Sequence, residues 1–190
     1  MKPTDFHIPR ILALFALVAL AACTRLPERA DPGAVSELAA AIAALGPGVA
    51  PEEAARAARI AYDYPLTLAQ QYRITDPPLI HNTKVNMGLR PRGLCWHWAE
   101  DMEKRLAQEH FETLDLHRAI ANFENPLRIE HSTVIVSASG DGMYDGIVLD
   151  AWRKGGRLTW VAPLEDREYK WRPRREVLIA KQERRERRAN

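Results

Sequence analysis

The chain has 190 residues, with 27 Lys and Arg against 25 Asp and Glu and a formal net charge of +2. That balance carries neither the strongly basic signature of a nucleic-acid binder nor an acidic tail, and the length suits one domain with a real core. Six histidines and only two cysteines, Cys23 and Cys95, bound the chemistry further.

The chain begins with an apolar run, Ile11 to Ala22, behind Lys2 and Arg10. It is shorter than the roughly 20 residues that span a bilayer, and reads as a signal-peptide core. Its end, Leu20-Ala21-Ala22-Cys23, resembles the bacterial lipoprotein lipobox, which implies cleavage after residue 22, lipidation of Cys23 and a membrane anchor there. Thr24 in place of Asp at the following position implies delivery to the outer membrane, facing the periplasm. Residues 23–33 then read as lipidated Cys and tether, with two prolines and no apolar periodicity. With Cys23 acylated, Cys95 is the one free thiol in an oxidising compartment, either a buried inert residue or one kept for its reactivity.

A single domain is expected over residues 34–180. The first helix is expected from Ala34 to Leu45, stopped by Gly46-Pro47-Gly48. A second opens at Pro51-Glu52-Glu53, where proline suits the first turn and the acids complement the helix dipole, and is expected to end near Tyr64, before Pro65. Asp76-Pro77-Pro78 to Pro91 lacks periodicity and reads as a long loop. From Pro91 a helix is expected, with Cys95, Ala99, Met102 and Leu106 on its apolar face.

The period then changes to that of strands: Leu116 to Asn122, Glu130 to Ala138, Ile147 to Trp152 and Arg157 to Val161. Lys154-Gly155-Gly156 joins the last two as a hairpin signal. Helices before a run of antiparallel strands predict an α+β fold. Residues 181–190, with five basic and two acidic side chains, read as a solvated, frayed tail.

The chemistry centres on Cys95 in Gly93-Leu94-Cys95-Trp96-His97-Trp98. A thiol is nucleophilic as thiolate, which a helix N-terminus and a nearby imidazolium both favour. His7 leaves with the signal, and His97, His110 and His117 have local explanations as a helix flank, a helix end and a strand alternation. His81, in the expected loop, is less easily set aside. His131 opens the most apolar strand, where an unpaired imidazole is costly, and is the expected base.

Asp150 shares a strand face with Val148 and Trp152 and so needs a partner. If Gly140-Asp141 is the two-residue turn of a hairpin, His131 and Asp150 stand directly opposite, with Cβ atoms about 4.5–5.5 Å apart. A carboxylate so placed holds an imidazole in the tautomer a base requires. Asn82 or Asn86 is the candidate side-chain donor for an oxyanion, with the amide of Cys95 as the other. Among the tryptophans, Trp96 and Trp152 are candidate substrate walls. Arg153 reads as a clamp for a substrate carboxylate or as a solvated strand-end charge. No His-x-x-x-His or similar pair supports a metal, and no cofactor is expected.

Gly93-Leu94-Cys95 at a helix start, His131 opening a strand and Asp150 in Ile147-Val148-Leu149-Asp150 together resemble the transglutaminase-like superfamily, relatives of papain-like cysteine peptidases. The resemblance covers roughly residues 91–160. It implies a helix bearing Cys95 at its N-terminus packed against an antiparallel sheet, with Cys95 as nucleophile, His131 as general base and Asp150 as orienting acid, acting on an amide or ester of a protein or peptide in the cell envelope. The alternative is a catalytically inactive lipoprotein that uses the same fold to bind an envelope partner.

Overall fold

The computed structural model describes residues 29–189. The expected signal core and the lipidation site at Cys23 lie outside the described residues. Five helices and five strands follow in order: α1 (Pro32–Ala43), α2 (Pro51–Gln71), α3 (Pro78–Asn86), α4 (Cys95–Ala107), β1 (Leu114–Ala121), β2 (His131–Ala138), β3 (Ile147–Lys154), β4 (Arg157–Val161), β5 (Arg172–Pro173) and α5 (Arg174–Ala189). The fold is α+β. The strands form one antiparallel sheet in the order β4-β3-β2-β1-β5, so the strand that begins with His131 lies at its centre.

The main core fills the space between one face of the sheet and helices α1, α2 and α4. Leu38, Ile42, Ala57, Ala61, Leu68, Met102 and Leu106 meet Val134, Val136 and Leu149 there, all essentially buried. The expected face of α4 is the buried one, with Cys95 at its first turn. A smaller core on the opposite face gathers Ala119, Ile135, Met143, Val148 and Trp171.

Three elements differ from expectation. Helix α2 runs through Pro65 to Gln71. Proline there removes one backbone hydrogen bond, but Leu66, Leu68 and Ala69 beyond it are buried, and losing that apolar face costs more than the missing bond. The expected loop after Asp76 contains α3, whose buried face is His81 and Asn82, so it has no apolar period to read. An ion pair from Lys84 to Asp76 at 2.8 Å closes its first turns. The expected frayed tail is instead the second half of α5, whose one buried side chain is Val177. Lys181 pairs with Glu130, and Arg184 reaches Glu124 at 3.1 Å, so charge and not an apolar stripe ties this helix down.

The register between β2 and β3 is also corrected. Val134 faces Leu149, where a Gly140-Asp141 turn would put it opposite Ile147. The connection is longer than two residues because it holds a 3-10 turn, Met143–Asp145, whose Met143 side chain anchors the second core. The hairpin at Gly155-Gly156 forms as expected, with both glycines at positive φ and Lys154 opposite Arg157.

Candidate functional site

His131 and Asp150 meet although their register differs from the expected one. Along the observed ladder, Asp150 lies level with Thr133, and His131 is its diagonal neighbour on the same face, still within reach of an imidazole. His131 Nε2 donates to Asp150 Oδ2 at 2.6 Å, and both side chains are 1 % exposed. Because a carboxylate only accepts, Nε2 carries the proton, and Nδ1 is the atom left for chemistry. Nδ1 is buried and has no hydrogen-bond partner.

Asp150 is held on every side. Its Oδ1 accepts the amides of Trp152 and Arg153, each at 3.1 Å, and its Oδ2 also accepts Arg153 Nε at 3.0 Å. Arg153 in turn forks onto Asp166 at 2.7 and 3.3 Å, and Trp171 Nε1 donates to Asp166 at 3.0 Å. Arg153 is therefore neither a substrate clamp nor a solvated charge; it is a buried strut behind the acid. Burial disfavours the Asp150 carboxylate, but the His131 and Arg153 charges outweigh it and hold its pKa below the ordinary value.

Burial likewise opposes charge on His131. Asp150 overrides that, with a smaller contribution from Cys95, and the imidazole pKa is pushed up to about 9. Three aromatic rings sheathe it: Tyr169, Trp152 and Trp171, with centroids 4.5, 4.7 and 5.3 Å away. Tyr169 and Trp171 were not singled out for this role in the sequence. Their alternation, two residues apart after Asp166, is a weak signal that acquires meaning only once β5 is seen to return to β1 beside the site.

Cys95 is the first residue of α4 and is 6 % exposed. It lies close enough to His131 to favour the imidazolium, yet its Sγ donates to the carbonyl of Glu130 at 3.4 Å, and thiol and imidazole approach each other without completing a hydrogen bond of good geometry. Catalytic contacts of this kind are often loose before substrate arrives. The turn before the helix is tightly built. Gly93 has φ +125°, and a Cβ there would fall 2.3 Å from His81 Nε2, which bonds the carbonyl of Arg92 at 2.9 Å. The amides of Gly93 and Leu94 donate to His97 Nδ1 at 3.1 and 3.2 Å, so a side chain three residues into the helix caps its entry. Burial, then the nearby Arg92 charge, lowers the His97 pKa. The amide of Cys95 makes no hydrogen bond among the described residues and remains available to an oxyanion.

A cleft of about 570 Å³ opens over the thiol. Asn82 and Asn86 both line it, as does Trp96, which is 47 % exposed. Asn82 is the better placed donor: its Oδ1 accepts Trp152 Nε1 at 3.1 Å, and since an indole only donates, the amide must turn its NH2 the other way. Asn86 is exposed and has no such orienting bond. Trp152 is 7 % exposed and sits behind the site, packing on His131 and orienting Asn82; it is not a cleft wall.

No group of three or more His, Cys, Asp or Glu side chains arranged to hold a metal occurs among the described residues, and no helix there is long and apolar enough to cross a membrane. The sequence-expected residues Cys95, His131, Asp150 and Asn82 thus fall at one place, where α4 begins beside the ends of β2 and β3. Comparison with protein-family models, with curated proteins and with solved structures finds no match to this chain.

Proposed function

We propose that the protein is a transglutaminase-like cysteine hydrolase or acyltransferase, anchored at Cys23 to the outer membrane and acting on an amide or ester bond of an envelope protein or peptide. The observation that carries this reading is the buried His131–Asp150 pair, which directs a partnerless Nδ1 toward the side of the site that holds Cys95. His81 also leaves a buried Nδ1 without a partner, but its other nitrogen bonds a backbone carbonyl; only His131 has a carboxylate there to hold a charge on the ring.

In this reading Cys95 Sγ, its proton given to His131 Nδ1, attacks the substrate carbonyl carbon. The oxygen takes up negative charge and is held by the Cys95 amide and Asn82 Nδ2. As the tetrahedral species collapses, the bond to the amine or alcohol breaks and His131 passes its proton to that leaving group. Water, or an amine in a transferase, then attacks the thioester, returns a proton to His131 and expels the thiolate. Asp150 stays ionised throughout and holds Nε2–H in place. The leader and lipobox in the sequence support the envelope location.

A second reading has its own observation. Sγ spends its hydrogen bond on the Glu130 carbonyl, as an inert thiol in a binding protein would. Alkylation by iodoacetamide separates the two. The enzyme reading expects wild-type Cys95 to react at neutral pH and His131→Ala to slow that reaction roughly tenfold or more. A rate indifferent to His131 overturns it in favour of the binding protein.

A further inference from the structure

The cleft contains two arginines that the acyl-transfer chemistry does not use. Arg118 and Ile120 lie on one face of β1, and Arg174 follows β5 as the first residue of α5; all three line the cleft with Cys95. The β1–β5 ladder pairs Ala119 with Pro173 and Ile120 with Arg172, so its next step brings Arg174 alongside Arg118. Like charges facing each other across a strand pair are destabilising unless something negative lies between them.

The acids nearby do not supply enough negative charge. Of the two that line the cleft, Glu100 is engaged by Lys104 at 3.1 Å and Arg92 at 3.4 Å, and Glu130 is engaged by Lys181. Arg118 gives Nη1 to Glu103 at 3.0 Å, but its Nε is sealed from water with no hydrogen-bond partner, in a side chain only 12 % exposed. Arg174 is exposed and makes no ion pair or hydrogen bond among the described residues. The cleft's unneutralised charge is therefore positive, and it lies within the same cavity as the nucleophile. The remaining walls are largely apolar: Leu79, Leu94, Ile129 and Leu178.

The geometry points to a substrate that carries a carboxylate, bound by Arg118 and Arg174, next to an apolar side chain held by the leucine and isoleucine walls. The carboxylate is a peptide C-terminus or an acidic side chain; the guanidinium chemistry that recognises it is the same. This inference rests on Cys95 being the nucleophile, because it uses the thiol to report what the cleft holds.

The test uses N-(bromoacetyl)-leucine and N-(bromoacetyl)-leucinamide, which differ only in carboxylate against carboxamide. In each, Sγ attacks the CH2 carbon and bromide leaves, and mass spectrometry of the intact lipidated chain, in which Cys23 is blocked by acylation, gives the rates. The readout is the ratio of the two, so a general change in thiol reactivity cancels. The wild type is expected to favour the acid roughly tenfold, the scale of one charge-assisted hydrogen bond. Arg174→Gln and Arg118→Gln each bring the ratio toward one, and added salt lowers it. Arg174 has no partner to lose, so its variant decides the matter even if the Arg118 variant misfolds.

A bromoacetyl-glutamate α-amide, with its carboxylate on the side chain, distinguishes the two sources: faster reaction than the leucine acid assigns an acidic side chain, and slower reaction a C-terminus. A wild-type ratio near one, or a tenfold ratio that survives in Arg174→Gln, overturns the inference. If the ratio is near one while iodoacetamide still depends on His131, the enzyme reading stands alone. If the thiol is indifferent to His131, that reading fails and this one with it.

Discussion

Cys95 stands between two histidine-bearing regions with opposite electrostatics. On one side, His131 at the head of β2 is buried, charged and paired with Asp150 at 2.6 Å. On the other, His97 in the Arg92–Trp98 turn and His81 on α3, packed against that turn, are also buried but serve the backbone: His97 accepts two amides, and His81 bonds the Arg92 carbonyl. Burial opposes an imidazolium in both His131 and His97. What separates them is whether a carboxylate is built in beside the ring. A buried histidine is a catalytic candidate when its neighbours hold a charge on it, and a structural one when the hydrogen bonds its ring makes go to the backbone.

The most severe way to break that contrast is Asp150→Ala. It removes the acid that holds the charge on His131 and leaves Nε2–H and the Arg153 guanidinium buried side by side with no acceptor between them. Removing one partner of a buried pair costs about 3–5 kcal/mol, and for a domain of this length that lowers Tm by roughly 10 °C or more. Thermal unfolding followed by circular dichroism measures it, and a change within a degree or two would mean that the network does not form. Asp150→Asn keeps the shape and a hydrogen bond, and is expected to lose much less stability while still slowing alkylation of Cys95.

Asn82→Asp sharpens the comparison at the site itself. The new carboxylate can still accept Trp152 Nε1, so the fold is kept, but the NH2 group aimed into the cleft is gone. Loss of one oxyanion donor typically costs about a hundredfold in rate. The acylation burst with p-nitrophenyl acetate, a small ester that needs no substrate pocket, is expected to slow by that order while Tm barely moves. Equal slowing in Asn86→Asp and none in Asn82→Asp would reverse the assignment between the two asparagines.

How much of this was legible beforehand depended on what fixes each residue. Cys95, His131 and Asp150 could be chosen because each is anomalous on its own element: a thiol at a helix start, and an imidazole and a carboxylate on apolar strands. Their meeting could be expected but its register could not, because a loop with three glycines hides a 3-10 turn that only Met143 packing into the second core makes favourable. Helix α3 was illegible for a related reason, since its buried residues are His81 and Asn82, and a polar face leaves no periodic trace. The roles of Trp152 and Arg153 were misread because both bond residues far from them in sequence, Asn82 and Asp166.

The smallest effect discriminates best, because the two histidines must respond to pH with opposite signs. His131 has a folded pKa raised to about 9, so the folded state binds more protons than the unfolded one above about 6.5, the ordinary histidine value. Its contribution is complete below that value and is lost as pH rises toward 9, an upper bound on the order of 3 kcal/mol. His97 is lowered, so the unfolded state takes up its proton first as pH falls, and stability is lost below about 6.5. Urea unfolding as a function of pH should therefore rise to a maximum near pH 6.5 and then decline. His131→Gln removes the alkaline decline. His97→Ala removes the acid-side loss assigned to that ring, at a cost of roughly 1 kcal/mol for the lost cap on the Gly93 and Leu94 amides. If His97→Ala flattened the alkaline limb instead, the charged imidazole beside Cys95 would be His97, and the roles assigned to the two regions would have to be exchanged.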